Sequence, residues 1–415
     1  MTPNRCKRWM TTTGMGAAAA AVVAATLVAP ATASAPSPQS GAPDRPLRST
    51  LQRDAERLVD LGAPGVLVDL RTPARRVKVR SGVADTATGE PVPWRAHFRV
   101  GSLTKPFVST ALLQLVGRGR LSLDDRVADW LPALVRDHED AGRVTVRQLL
   151  QHTSGLPDYL GGLPWLFSQQ GFEKHRFDTV TSRRAVRIAL AMEPLFAPGT
   201  SWSYSNTNYR LAAMIVTKVT GRSWRAAVRH GIVEPLGLDG TVLPGTRTGL
   251  PEPHAVGYER FPGPDPTPED PGYGEPIDAT RQDPSWGGAA GEIISTTRDT
   301  NRFLRALVRG RLLEPAEQAE LMSTVPNDEA FQQSWPGSRY GLGLELTPVS
   351  CGTAWSHGGD ILGFATRNAV LADGSRSVTI TMNTDSFVPR PGVRVPRREM
   401  TRTLIDHALC GTGRE

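Results

Sequence analysis

Lysine is scarce in this chain. Only five of the 48 basic residues are lysines, at positions 7, 78, 105, 174 and 218; the rest are arginine. Arginine keeps its proton near neutral pH, whereas a desolvated lysine can give it up. The chain therefore has few basic groups able to exchange a proton. Cysteine is rare too: Cys6, Cys351 and Cys410, with no paired Cys motif and no His-Glu-x-x-His. No metal site and no cofactor are expected. Gly-x-Ser-x-Gly is absent, so the strand-to-helix nucleophile elbow is not supported. After residue 35 no apolar run is long enough for a membrane helix. No cysteine follows the N-terminal apolar run to take a lipid.

What is present begins with an export signal over residues 1–35. Arg5, Lys7 and Arg8 are basic, residues 17–29 are apolar, and Ala33-Ser34-Ala35 fits a small-residue cleavage site. A secreted protein with no stable membrane anchor is expected. Cleavage would remove Cys6 and three of the seven net positive charges. The remaining charge is mildly basic. It does not imply nucleic acid, and favours anionic cell-wall polymers only weakly. Cys351 and Cys410 form an even pair in an oxidising compartment, which predicts a disulfide. It would close a loop of about 60 residues and stabilise by about 4 kcal/mol in the chain-entropy model.

Residues 36–46 are rich in Pro and Ser and read as a disordered leader. Helical periodicity starts at Leu47. Strands are predicted over 65–70, 77–83, 353–357, 363–371 and 377–383. Helices are predicted over 102–116, 144–150, 182–192, 208–219, 224–230, 299–308, 315–322 and 397–409. Residues 261–284 are dense in Pro, Gly and acids and read as a surface loop. Strands at both ends and helices between predict an α/β lobe over about 47–120 and 285–415, with an all-α insert lobe over about 121–284.

The chain holds one Ser-x-x-Lys, Ser102-Leu103-Thr104-Lys105. This spacing sets both side chains on one helical face. A serine nucleophile needs a neighbour to take its proton, and Lys105 is that neighbour. Tyr204-Ser205-Asn206 lies in the helical insert, and His357-Gly358-Gly359 ends a predicted strand.

With these motifs in this order, the chain resembles the serine penicillin-recognising acyl-enzymes. It is similar to class C β-lactamases and, more closely, to secreted soluble D-alanyl-D-alanine carboxypeptidases of high-GC bacteria. FRVGSLTKPF, VTVRQLLQHTSGLPDY, APGTSWSYSNTNY, SWGGAAGEIISTTRD, YGLGL and SHGGDILG carry the resemblance. It implies an antiparallel sheet flanked by helices beside the all-α lobe. It also implies that Ser102 is the nucleophile and that Lys105 and Tyr204 share the proton relay, with the base unassigned between them. The backbone N–H groups of Ser102 and Asp360 would form the oxyanion hole. Asn206, Trp286, His357, Gly358 and Gly359 would contact substrate. His152 is read as structural.

The chain departs from the carboxypeptidase pattern at two places. Glu345 and Asp360 stand where an Arg and a hydroxyl residue grip the substrate's terminal carboxylate, and Gly358 stands where Thr is usual. Two acids there would repel a carboxylate. The expected substrates are small peptides, amides, esters or β-lactams, with cell-wall peptidoglycan as a further partner. Three activities fit: a D-Ala-D-Ala carboxypeptidase or penicillin-interacting hydrolase; a D-aminopeptidase, amidase or esterase; and a non-hydrolytic penicillin or muropeptide binder.

Overall fold

A nine-stranded antiparallel sheet organises the protein. The computed structural model describes residues 44–411 apart from 264–266, 268–271 and 395–398. The predicted export signal lies outside the described residues. The leader ends earlier than expected, because helix α1 spans Asp44–Asp60.

The strands are β1 (Gly65–Arg71), β2 (Arg76–Gly82), β3 (Val325–Pro326), β4 (Arg339–Tyr340), β5 (Glu345–Val349), β6 (Gly352–Ser356), β7 (Gly359–Ile361), β8 (Phe364–Leu371) and β9 (Ser377–Met382). Their order is β2-β1-β9-β8-β6-β5-β4-β3, with β7 paired to β8. Strands β1 and β9 pair in the register Val68↔Ile380 and join the two ends of the sequence. Both are buried along nearly their whole length, although β9 alternates Ser and Thr with Val, Ile and Met. Strands β3, β4 and β5, toward one side of the sheet, and the short β7 carry no clear strand signal in the sequence. They are brief or carry Pro, which mutes the period-two signal.

One sheet face is covered by α1 and the C-terminal helix, Arg402–Cys410, through Leu51, Leu58, Val68, Ile380 and Leu404. Helix α2 (Thr104–Gly117) lies in the other core, with every residue from Thr104 to Leu113 buried. A helix apolar all round belongs in an interior. Helix α3 (Asn206–Thr220) packs against α2 and ends at Gly221 in a left-handed turn. The core around α2 takes side chains from both the helical insert and the sheet, including Leu150, Tyr209, Trp355 and Phe364. The insert is not wholly helical: Tyr258–Glu259, just before the expected surface loop, pairs with Ile277–Asp278 within it as a two-stranded ribbon.

The Sγ atoms of Cys351 and Cys410 lie 2.02 Å apart, with 5.4 Å between their Cα atoms. They sit at the β5–β6 hairpin and the end of the C-terminal helix.

Candidate active site

Ser102 lies in a single tight turn, Gly101–Leu103, just before α2 rather than within it. Gly101 enters this turn at φ +54°, a conformation that favours glycine. Strand β7 crosses directly against the turn. A Cβ on Gly101 would sit 2.7 Å from the Asp360 amide nitrogen, and one on Gly359 would sit 1.9 Å from the Val100 carbonyl oxygen and 2.9 Å from the Ser102 nitrogen. The two glycines thus let the backbones of Ser102 and Asp360 meet. Gly359 makes room for the nucleophile turn. Gly358 is less constrained, since its added Cβ would only touch Arg367 at 3.5 Å.

Lys105, one turn further, is fully buried. Its Nζ donates to Ser102 Oγ at 2.9 Å, to Asn206 Oδ1 at 2.7 Å and to the Ala290 carbonyl at 2.9 Å. All three ammonium donors are therefore used. Burial pulls its pKa down to about 7, against the opposing pull of Asp158 and Glu345. The ammonium also lies 4.7 Å from the centre of the Tyr204 ring. Burial pushes the Tyr204 phenol well above its usual range, although a hydrogen bond to Ser102 partly offsets this. Ser102, Lys105, Tyr204 and Asn206, scattered across 105 positions of sequence, form one cluster.

Asn206 opens α3, and its orientation is set by a residue the sequence reading passed over. Asp158 Oδ2 accepts from the Asn206 backbone N–H at 3.1 Å and from its side-chain Nδ2 at 2.7 Å. That leaves Oδ1 to face Lys105. Asp158 belongs to the LPDY run already noted, so a signal existed. His152 also does more than fill space. It adopts φ +65° and stacks on Tyr204 with ring centroids 4.3 Å apart. Its Nδ1 accepts from Ser205 N–H and Asn208 Nδ2, and burial holds the ring well below its usual pKa.

His357 is buried with both ring nitrogens engaged. Nδ1 donates to the Gly358 carbonyl at 2.6 Å, so Nε2 accepts from the Tyr340 hydroxyl at 2.8 Å. Burial drops its pKa to about 3, and the ring is neutral. It forms part of the cleft wall without a free hydrogen-bonding nitrogen. Trp286 departs from expectation. It is buried, its Nε1 donates to Gln282 Oε1 at 3.0 Å, and it packs in the core around α2 rather than among the residues lining the cleft.

The cleft has a volume of about 1100 Å³, and Ser102, Tyr204, Glu345, His357 and Asp360 are among its walls. The expected pair of repelling acids is corrected here. Asp360 Oδ1 accepts from Arg367 at 2.6 Å, and Arg367 also faces Glu399 at 3.4 Å. Asp360 is thus neutralised by a neighbour on β8 that no sequence pattern flagged. Glu345 is buried on β5 and has no such pair; burial raises its carboxyl to about 8. Among the described residues no group of His, Cys, Asp or Glu is placed to hold a metal ion.

A hydroxyl at hydrogen-bond distance from a buried amine of pKa near neutrality is equipped for acyl transfer. The chain is similar to several known proteins. A D-stereospecific amidohydrolase from Streptomyces sp. matches with a TM-score of 0.77 and 37% identity, over 88% of this chain and 99% of that one. A D-amino acid amidase from Ochrobactrum anthropi SV3, complexed with L-phenylalanine amide, matches with a TM-score of 0.72 and 28% identity, over 88% and 98%. A penicillin-binding protein of Bacillus subtilis (strain 168) is 30% identical over 298 residues, 69% of this chain and 60% of that protein. This chain spans 41% to 60% of the length of the first curated relatives it matches. The sequence pattern of the beta-lactamase family matches residues 50–399. On that match and this fold, the chain belongs to the beta-lactamase family of serine hydrolases.

Proposed function

We propose that the protein is an exported serine hydrolase that opens small amide, peptide or ester substrates through an acyl-enzyme on Ser102. The observation that carries this reading is the 2.9 Å contact between Lys105 Nζ and Ser102 Oγ in a site where the amine titrates near 7. At neutral pH much of Lys105 is the free amine, able to accept a proton. The Tyr204 phenol stays protonated, which favours Lys105 as the base and Tyr204 as the relay.

In this mechanism Ser102 Oγ passes its proton to Lys105 and bonds to the acyl carbon. The carbonyl oxygen takes up the electron pair and faces the Ser102 and Asp360 N–H groups. The acyl carbon's bond to the leaving nitrogen or oxygen then breaks. The leaving atom takes the proton back from Lys105 through Tyr204. Water repeats the sequence on the ester, giving the acid and free Ser102.

For the substrate class, an amide of a D-amino acid or a D-configured peptide is favoured over a D-Ala-D-Ala carboxypeptidase substrate. Neither cation beside Ser102 and Asp360 is left over to grip a terminal carboxylate, because Arg367 is held by Asp360 and Glu399 and Lys105 by its three acceptors. The resemblance to a D-stereospecific amidohydrolase supports the same choice. The Cys351–Cys410 disulfide and secretion belong to this proposal, as does occasional contact with cell-wall peptides. Intact mass after incubation with a penicillin, and product analysis after incubation with D-alaninamide and with a D-Ala-D-Ala peptide, test it. A stable penicillin adduct with no turnover of any substrate would instead indicate a binder. Turnover of the peptide alone would restore the carboxypeptidase reading.

A further inference from the structure

Among the described acids of the cleft, Glu345 is the one left without a counterpart. It is only 7% exposed, on β5 opposite Ser356. Its carboxyl makes no hydrogen bond or ion pair among the described residues. Yet it forms part of the same cleft wall as Ser102, Tyr204 and His357. A carboxyl on a cleft wall with no protein partner is open to one supplied by a ligand. The two cations nearby cannot supply one. Arg367 is divided between Asp360 and Glu399, and Lys105 already donates to three acceptors. Around its carboxyl, Asp360 and Glu399 offset the positive charge of Arg367 and Lys105.

We infer that Glu345 receives a primary ammonium group of the substrate, so that the enzyme acts on amino-acid amides or short peptides whose α-amine is free. The inference rests on the acyl-enzyme reading of Ser102 and adds the chemical class of the substrate. An ammonium brings three donors and the charge that complements a carboxylate. Such a charge-assisted bond is about twice as strong as a neutral one. Burial, Asp360 and Glu399 favour the protonated carboxyl, while Arg367 and Lys105 oppose them. The arriving cation tips this balance toward the carboxylate. A blocked amine loses the charge, and a substrate carboxylate in the same place would be repelled.

The test compares D-alaninamide with N-acetyl-D-alaninamide on the full chain and on Glu345→Gln. The wild-type kcat/KM ratio is expected to favour the free amine by at least about tenfold, and the variant should lose most of that preference. A second readout needs no turnover: how strongly each compound slows labelling of Ser102 by a fluorophosphonate. D-Alaninamide should protect wild type better than its acetylated form. Equal handling of the two compounds by wild type, in rate or in protection, overturns the inference while leaving Ser102 as nucleophile. A preference that survives Glu345→Gln overturns it as well. Absence of any Ser102 labelling in wild type would instead remove the acyl-enzyme reading beneath it.

Discussion

Asp158 holds Asn206 by two hydrogen bonds from one carboxylate oxygen, at 3.1 Å to the backbone nitrogen and 2.7 Å to the side-chain amide. The amide is thereby aimed with its oxygen toward Lys105 at 2.7 Å. The same carboxylate favours the charged form of Lys105 against burial. Geometry and titration at the nucleophile thus share one support on a turn distant in sequence.

This coupling sets the pH dependence. Lys105 titrates at about 7, and only its neutral form can take the Ser102 proton. Rate should therefore rise with pH through about 7 and fall away below it. Asp158→Asn removes a charge that raises the Lys105 pKa, so the acid limb should move to lower pH, with a reduced plateau from the misplaced Asn206. A kcat/KM profile measured from pH 5 to 9 checks this. An acid limb that stays in place in the variant would separate Asp158 from Lys105 titration.

Ser102→Ala should abolish labelling by an active-site serine probe with the fold intact, read by mass spectrometry and circular dichroism. Undiminished labelling would place the nucleophile elsewhere.

Lys105→Arg should cost nearly as much activity as Ser102→Ala. Arginine keeps a charge but cannot accept the serine proton, and its fork does not fit a site whose three acceptors converge on one nitrogen. A variant keeping more than about a tenth of the wild-type rate, a loss under about 1.4 kcal/mol of barrier, would make Lys105 a structural cation.

The neighbouring glycines should separate cleanly. Gly359→Ala forces a Cβ to within 1.9 Å of the Val100 carbonyl, and such overpacking costs about 1–3 kcal/mol. It should lower the Tm and displace the Ser102 turn. Gly358→Ala meets only ordinary contact with Arg367 and should melt close to wild type. Thermal unfolding with probe labelling compares the two, and equal behaviour would mean that strand β7 does not press on the turn.

Cys351 and Cys410 should carry no free thiol in the exported, denatured and unreduced protein. Titration of two thiols there would refute the disulfide. Cys351→Ser should destabilise by up to about 4 kcal/mol on the loop-entropy argument.

Local chemistry in the sequence determined a good deal. The shortage of lysine made Lys105 conspicuous, and its spacing from Ser102 paired the two before any fold was known. Apolar residues marked α2, β1, β8 and β9, because the buried central elements are rich in Val, Ile, Leu, Phe and Ala. The tertiary structure alone decided the charges of the cleft and the roles of the small residues. Asp360 and Glu345 look alike in sequence. One is neutralised by Arg367 across a strand pairing, while the other is buried without a partner. Trp286 sits within a cleft-like motif, yet its ring packs in the core around α2. Gly359 is needed for a backbone that arrives from more than 250 residues away. The physical reason is common to all three. Desolvation, pairing and close approach depend on what lies across space, and strand register and helix packing bring those neighbours from parts of the chain that carry no local sign of one another.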